Sequence, residues 1–450
     1  MTLATSGRAA SPRPRAVSAT DSLRGALRLP SDKSVAHRAL LFNAMATGSA
    51  DVRLVHPGQD VLSMVRVLRA LGAVEGQTTD DGGLSRVTVR GGGLPTGAQL
   101  PGSGGEVLDC GNAGTAMRLL AGALAGRPAM ATLTGDDSLS GRPMARIAEP
   151  LRHTGAGIET TDGHAPIRID GRRPLIAVEH RPSVASAQVI GCLTLAALAA
   201  EGTTSITVPG PTRDHSERML AWLGAPVRRD GLTTTVVGPA GFAARPMTVP
   251  GDISSAAAWL VAGALHPRGD IRLVGVGLNP SRRGIIEVLR GMGADIEVRM
   301  ADGAADSPEP VGDIIVRGGR ALRPIDIAGD RVADVIDELP LIGVAMAAAE
   351  GRSEVRDAAE LRVKESDRIA LVVENLAAIG AQVEERPDGW IVARGSARDA
   401  SIRTAGDHRI AIAFAIAALT GVGGTVSIDD PACAAVSYPS FWLDMESLAR

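Results

Sequence analysis

The sequence predicts an α/β protein of two globules, each made of three repeated units, and three observations carry this reading. A short strand, a turn rich in Gly, Asp, Ser and Asn, and an alanine-rich helix stopping at glycine recur six times. A helix that ends in Gly-Ala and leads into a strand recurs five times between them. Together they make units of roughly 70 residues reading β-α-β-α-β-β, and a fixed period of this kind marks repeat architecture. The first helix of each unit is apolar nearly all round and so must be buried, whereas the second is amphipathic. Six buried helices do not suit one barrel; two groups of three do.

The first twenty residues, MTLATSGRAASPRPRAVSAT, are polar, contain proline and arginine, and hold no apolar run. They read as a disordered extension. The six strand-turn-helix segments follow at 27–48, 108–126, 180–202, 248–269, 326–351 and 403–421. Ala256–Leu265 and Ile410–Leu419 exemplify the buried helix, and Val61–Leu71, with arginines along one side, the amphipathic one. The Gly-Ala segments lie at 68–75, 151–159, 220–228, 289–297 and 376–384, each with a leucine one turn before the glycine, a C-cap signature. The fifth repeat predicts one helix over Val332–Ala349, with the acidic pair Asp337 and Glu338 inside it. The sixth unit lacks a terminal hairpin, and Ser22–Leu29 is expected to complete it, so that both chain ends share a lobe. That lobe comprises residues 21–31 and 250–450, the other 32–249, with the active site in the cleft between them.

Charges nearly balance, 47 Lys and Arg against 50 Asp and Glu for a net −3, which excludes the basic footprint of a general nucleic-acid binder. The longest apolar runs, Ile190–Ala200 and Ile410–Leu419, fall short of the roughly 18 residues that span a bilayer. No membrane association is expected. Three distant cysteines, Cys110, Cys192 and Cys433, suggest neither a disulfide framework nor a zinc cluster. Neither a Gly-x-x-x-x-Gly-Lys-Ser/Thr loop nor a Gly-x-Ser-x-Gly elbow is present. The expectation is a reduced, cytoplasmic protein acting on small molecules.

Only Lys33 and Lys364 are lysines among the 47 basic residues. A chain that otherwise uses arginine keeps lysine where a compact ammonium serves better than a planar guanidinium. Both stand in dense polar segments. The six polar turns precede buried helices, where unpaired N–H groups and the positive dipole end attract anions. Lys33, Ser34 and Arg38 surround the first, Asn112 and Thr115 the second, Ser186 and Gln188 the third, and Asp407, His408 and Arg409 the last. Arg142 in GRPM, Arg213 in TRDHSE, and Arg362, Lys364, Glu365 and Arg368 in RVKESDR add further charge. Each has a plain alternative: Ser186 or Asn112 as a helix cap, Arg213 as a solvated charge, RVKESDR as an exposed ion-paired face. Asp337 resists such an explanation, because an acid amid Ile, Leu and Val must be paired or functional once buried. Jointly these residues describe a cleft for a substrate with more than one phosphate or carboxylate. Asp337 and Glu365 stand beside it as proton-transfer groups.

The motifs LPSDKSVAHRALL (29–41), GNAGTAMRLLAG (111–122), LTGDDSLSGRPM (133–144), LRVKESDRI (361–369) and DHRIAIAFAIAAL (407–419) resemble a known family. In order, and over nearly the whole chain after the tail, they are similar to those of the 5-enolpyruvylshikimate-3-phosphate synthases (3-phosphoshikimate 1-carboxyvinyltransferases). The resemblance implies a two-domain inside-out α/β barrel built from six β-α-β-α-β-β repeats, three per domain. It implies transfer of the enolpyruvyl group of phosphoenolpyruvate to the 5-hydroxyl of shikimate 3-phosphate with release of phosphate. No metal or organic cofactor is implied, and the setting is a cytoplasmic monomer of the shikimate pathway. Carried over motif by motif, it assigns Lys33, Ser34, Arg38, Ser186, Ala187, Gln188 and Arg213 to shikimate 3-phosphate. Lys33, Gly114, Arg142, Gln188, Arg368 and Arg409 fall to phosphoenolpyruvate. Asp337 becomes the base for the 5-hydroxyl and Lys364 its partner, both also touching shikimate 3-phosphate. Glu365 handles the proton at the methylene carbon, and Lys33, reaching both substrates, joins the catalytic set.

Two positions depart from the family pattern. Val436 in DPACAAVSYP stands where many members carry a lysine, and Glu360 where an asparagine is usual. Two alternatives stay open. A sister enolpyruvyl transferase acting on UDP-N-acetylglucosamine typically carries a cysteine in the loop before its Arg-Pro, whereas residues 136–141 here read DDSLSG. The other is a non-catalytic relative that binds phosphorylated metabolites; the intact Asp337, Lys364 and Glu365 speak for catalysis.

Overall fold

A computed structural model describes residues 13–92, 106–301 and 307–449. Alternating side chains set the strands: along Leu84–Arg90, Ser85, Val87 and Val89 point inward and their neighbours outward. Six sheets form among the described residues. Four share one plan, an edge strand parallel to a second strand that is followed by two antiparallel ones. Met247–Thr248, Ser49–Val55, Leu84–Arg90 and Val74–Thr79 follow it, as do Leu23–Arg28, Gly269–Gly277, Val311–Arg317 and Asp295–Met300. The sixth sheet has three strands, Ala400–Ile402, Val426–Ile428 and Arg15–Val17.

That last sheet corrects two expectations. Ser22–Leu29 does not complete the final unit, because its strand Leu23–Arg28 pairs with Gly269–Gly277. The completing strand is Arg15–Val17, which lies within the extension expected to be disordered and is fixed by antiparallel pairing with Val426–Ile428 and burial of Val17. Residues 1–12 of that extension lie outside the described residues.

Two hydrophobic cores result. Lys33–Met45, Gly114–Ala125 and Ala187–Ala197 pack in one, built from residues between Val35 and Val249. Ile253–Leu265, Leu339–Ala348 and His408–Leu419 pack in the other, together with Val17, Leu23, Leu27 and Leu29. Small residues let these helices approach closely: a Cβ on Gly122 would sit 2.0 Å from the Cys192 carbonyl oxygen. The five Gly-Ala segments end their helices as expected, with φ of 77–102° at Gly72, Gly155, Gly224, Gly293 and Gly380.

The helix expected over Val332–Ala349 is two, Asp330–Val335 and Leu339–Ala348. Pro340 has no N–H to donate and favours a helix start, so the second helix begins beside it. The break leaves Asp337 in a turn. The chain passes between the cores through residues 29–33 and 249–253, which run antiparallel. Asp32 N–H donates to Pro250 O at 2.7 Å and Asp252 N–H to Pro30 O at 2.9 Å. No helix among the described residues is long and apolar enough to cross a membrane.

Candidate active site

Each buried helix opens at a polar turn. Asp32, Ser186, Asp252 and Asp407 accept hydrogen bonds from the backbone N–H groups of Val35, Val189, Ser254 and Arg409, the caps these residue types favour. The six turns meet at one cavity of about 490 Å³ between the two cores. From one side come Lys33, Ser34, Gly114, Arg142, Ser186, Ala187, Gln188 and Arg213; from the other come Asp337, Lys364, Glu365, Arg368 and Arg409. Of the residues assigned to substrates, only Arg38 does not line the cavity. It lies one turn inside its helix, buried, with Nε donating to Ser216 Oγ at 2.8 Å and Nη1 to the Ser34 carbonyl at 3.0 Å. Arg362 turns away and pairs with Asp367 and Glu385, each at 2.8 Å.

Ion pairs organise the cavity. Asp337 Oδ2 lies 2.7 Å from Arg213 Nη2, and Oδ1 lies 3.7 Å from Arg368 Nη1 and 3.9 Å from Lys364 Nζ. Burial alone would raise the Asp337 pKa; Arg213, Lys364, Arg409 and Arg368 outweigh it and hold the carboxyl well below its usual range. Glu365 lies 2.6 Å from Arg368 and 3.9 Å from Arg142. Against burial, these two, with His408 and Lys33, likewise keep it well below the usual range. Arg368 is clamped from behind by Asp407 at 2.8 Å.

The two lysines diverge. Lys33 Nζ lies 3.0 Å from Asp60 Oδ2, and although burial opposes its charge, Asp60 and Glu365 push its pKa up. Burial dominates at Lys364 and pushes its pKa down, despite Asp337 and Glu365.

Asp60, Arg118 and Arg146 also line the cavity, and the sequence reading missed all three. Arg118 contacts Gln188 Oε1, and burial beside Arg146 and Arg142 lowers its pKa to about 10. An arginine within the apolar run GTAMRLLAG was the available signal. Arg146 pairs with Glu360 across the cavity at 3.1 Å; neither it nor Asp60 stands in a turn that marks it.

A profile of the family EPSP synthase (3-phosphoshikimate 1-carboxyvinyltransferase) matches residues 17–445. The chain belongs to the EPSP synthase family. A 3-phosphoshikimate 1-carboxyvinyltransferase of Salinibacter ruber is 46% identical over 437 residues, covering 95% of this chain and 97% of the relative. One from Gloeobacter violaceus is 45% identical over 432 residues, covering 95% and 96%. Among solved structures, the EPSP synthase of Acinetobacter baumannii superposes with a TM-score of 0.82 at 36% identity, covering 96% of this chain and 98% of that one. The enolpyruvyl transferase NikO of Streptomyces tendae, with a TM-score of 0.74 at 19% identity over 97% and 98% of the two chains, shares the fold. Of the two departures from the usual EPSP synthase pattern, Glu360 is engaged by Arg146. Val436 ends the 3-10 turn Pro431–Val436, with its carbonyl packed so close to Gly58 that a Cβ there would lie 2.7 Å from it.

Proposed function

We propose that this chain transfers the enolpyruvyl group of phosphoenolpyruvate to the 5-hydroxyl of shikimate 3-phosphate, releasing phosphate. The observation that carries the reading is one cavity in which Asp337, Lys364 and Glu365 stand among Lys33, Arg142, Arg213, Arg368 and Arg409. Two anions repel each other, and only a site dense in fixed positive charge offsets that repulsion where water is excluded. Lys33, Ser34, Ser186, Ala187, Gln188 and Arg213 hold shikimate 3-phosphate, with Arg38 bracing Ser34 from behind. Lys33, Gly114, Arg142, Gln188, Arg368 and Arg409 hold phosphoenolpyruvate.

Asp337 takes the proton of the 5-hydroxyl as the oxygen bonds to C2 of phosphoenolpyruvate, with Lys364 beside it. A proton added at C3 in that step leaves in the next, when the bond from C2 to the phosphate oxygen breaks and the double bond is restored; Glu365 carries this proton, protonated once phosphoenolpyruvate draws Arg368 and Arg142 away from it. A carboxylate held by Arg213 at 2.7 Å is a weak base. The phosphate of shikimate 3-phosphate competes for Arg213, and drawing it away strengthens Asp337 as the hydroxyl arrives.

The architecture belonging to this reading is an inside-out α/β barrel of six repeats in two lobes, 21–31 with 250–450 and 32–249, closing about the paired crossing segments. Six sheets and two cores support it. A cytoplasmic monomer of the shikimate pathway is the setting. The test is phosphate release from phosphoenolpyruvate with and without shikimate 3-phosphate. Release that depends on the second substrate is expected. No release, or release that needs UDP-N-acetylglucosamine instead, overturns the assignment.

A further inference from the structure

A second carboxylate follows Asp337 and is buried more deeply. Glu338 has no exposed side-chain surface, and its Oε1 lies 3.6 Å from Arg282 Nη2 and 3.7 Å from Arg409 Nη1. Ser254 Oγ donates to the same oxygen and accepts from Arg282 Nη2 at 2.5 Å. Arg282 is itself buried and lies 3.9 Å from Asp252, the cap of the helix Ile253–Leu265. Glu338 Oε2, Arg282 Nε and Arg409 Nε are buried without hydrogen-bond partners.

A fully desolvated ion pair gives little net stability, since apolar residues of like size often serve as well or better. One kept with open hydrogen-bonding atoms at the wall of a reactive cleft is better explained by geometry. Asp337 and Glu338 leave the same turn, Asp337 toward Arg213 and Glu338 toward Arg282 and Arg409. We infer that Glu338 and Arg282 are positioning residues. Through the shared Oε1 and Ser254, they aim the guanidinium of Arg409 at phosphoenolpyruvate. This inference rests on the function proposed above.

The experiment compares wild type, Glu338→Asp, Glu338→Gln and the double variant Arg282→Met with Glu338→Leu, measuring the KM of each substrate, kcat and the melting transition. Glu338→Gln takes from the buried Arg282 the nearer of its two carboxylates, leaving Asp252 at 3.9 Å, and is expected to melt earlier. The double variant removes both charges and is expected to fold. In folded variants lacking the carboxylate, the KM for phosphoenolpyruvate should rise about tenfold or more, because a displaced charged donor loses its hydrogen bonds to the ligand. The KM for shikimate 3-phosphate should stay within about threefold on the same argument, since Arg409 faces the other substrate. Glu338→Asp, which keeps the charge, should fall between them and wild type. Folded variants with unchanged constants, or with both KM values raised alike, overturn the inference. So does failure of both charge-removing variants to fold, which assigns the pair to stability alone. An inactive wild type defeats the proposed function first, and this inference with it.

Discussion

Replacing Asp337 by asparagine keeps the shape of the side chain and removes its charge from a cluster of cations. Arg213 lies 2.7 Å away, Arg368 3.7 Å and Lys364 3.9 Å. At an effective dielectric constant of about 20, a unit charge at the first distance is worth about 6 kcal/mol and one at either of the others about 4. Most of this is offset by desolvation, and breaking a buried pair from one side costs about 3–5 kcal/mol. Asp337→Asn should therefore melt earlier at neutral pH. Arg213 and Lys364, released from the Asp337 charge, should bind shikimate 3-phosphate at least as tightly as in wild type. Loss of the base should lower turnover by about 10²–10⁴-fold. Titration calorimetry with shikimate 3-phosphate, phosphate release and thermal unfolding read the three effects separately. Turnover within about fivefold of wild type refutes the base assignment. Affinity for shikimate 3-phosphate that drops about tenfold refutes the claim that Asp337 restrains Arg213.

Three further outcomes are expected. Lys33→Arg keeps the charge but brings a broad planar group to a site where the ammonium meets Asp60 at 3.0 Å; kcat/KM should fall about a hundredfold, and a silent change would remove the argument from lysine scarcity. Gly114→Ala places a Cβ 3.1 Å from Arg118 Nη1 and 3.2 Å from Arg142 Nη1. The guanidinium groups must yield, so the KM for phosphoenolpyruvate should rise with little change in that for shikimate 3-phosphate; equal constants count against Arg142 as its ligand. Burial, with Lys33 and Arg38 nearby, pushes the pKa of His37 from 6.5 down to about 3, and burial chiefly lowers that of His408 to about 4. Because the folded values lie below the unfolded one, stability is complete above about pH 6.5 and is lost as pH falls toward them, by up to about 1.4 kcal/mol per pH unit for each ring. His37→Leu should flatten the dependence of melting temperature on pH between about 7 and 5, and an unaltered slope refutes the assignment.

What the sequence revealed, and what it hid, divides along physical lines. Cap residues such as Asp32 and Asp407 act within three residues of themselves, so the helix starts and the charges around them were legible in linear order. The interrupted helix at Ile336–Glu338 was concealed because Val332, Val335, Ile336 and Leu339 keep the i, i+3, i+4, i+7 spacing of one continuous helix, and Pro340 was the sign to heed. Arg15–Val17 has three residues and one buried side chain, too few for an alternating pattern to stand out. In Leu23–Arg28 only Leu23 and Leu27 are buried, and nothing in that pattern names the sheet it joins. Arg38 sits at a helical spacing that pointed to the site but not to the Ser216 hydroxyl that claims it. Asp60 and Arg282 are brought to the cavity by tertiary contacts alone.

The strand Leu23–Arg28 and its neighbour Gly269–Gly277 are separated by about 240 residues. At ribosomal speeds of about 5–20 residues per second, the earlier strand waits tens of seconds for its mate. Arg15–Val17 waits longer, until Val426–Ile428 is made. The intervening core, contiguous from Val35 to Val249, can assemble in that interval. The newborn polypeptide thus carries a finished middle beside a sticky leading edge, and shielding that edge from stray pairing is the burden this threading places on the cell.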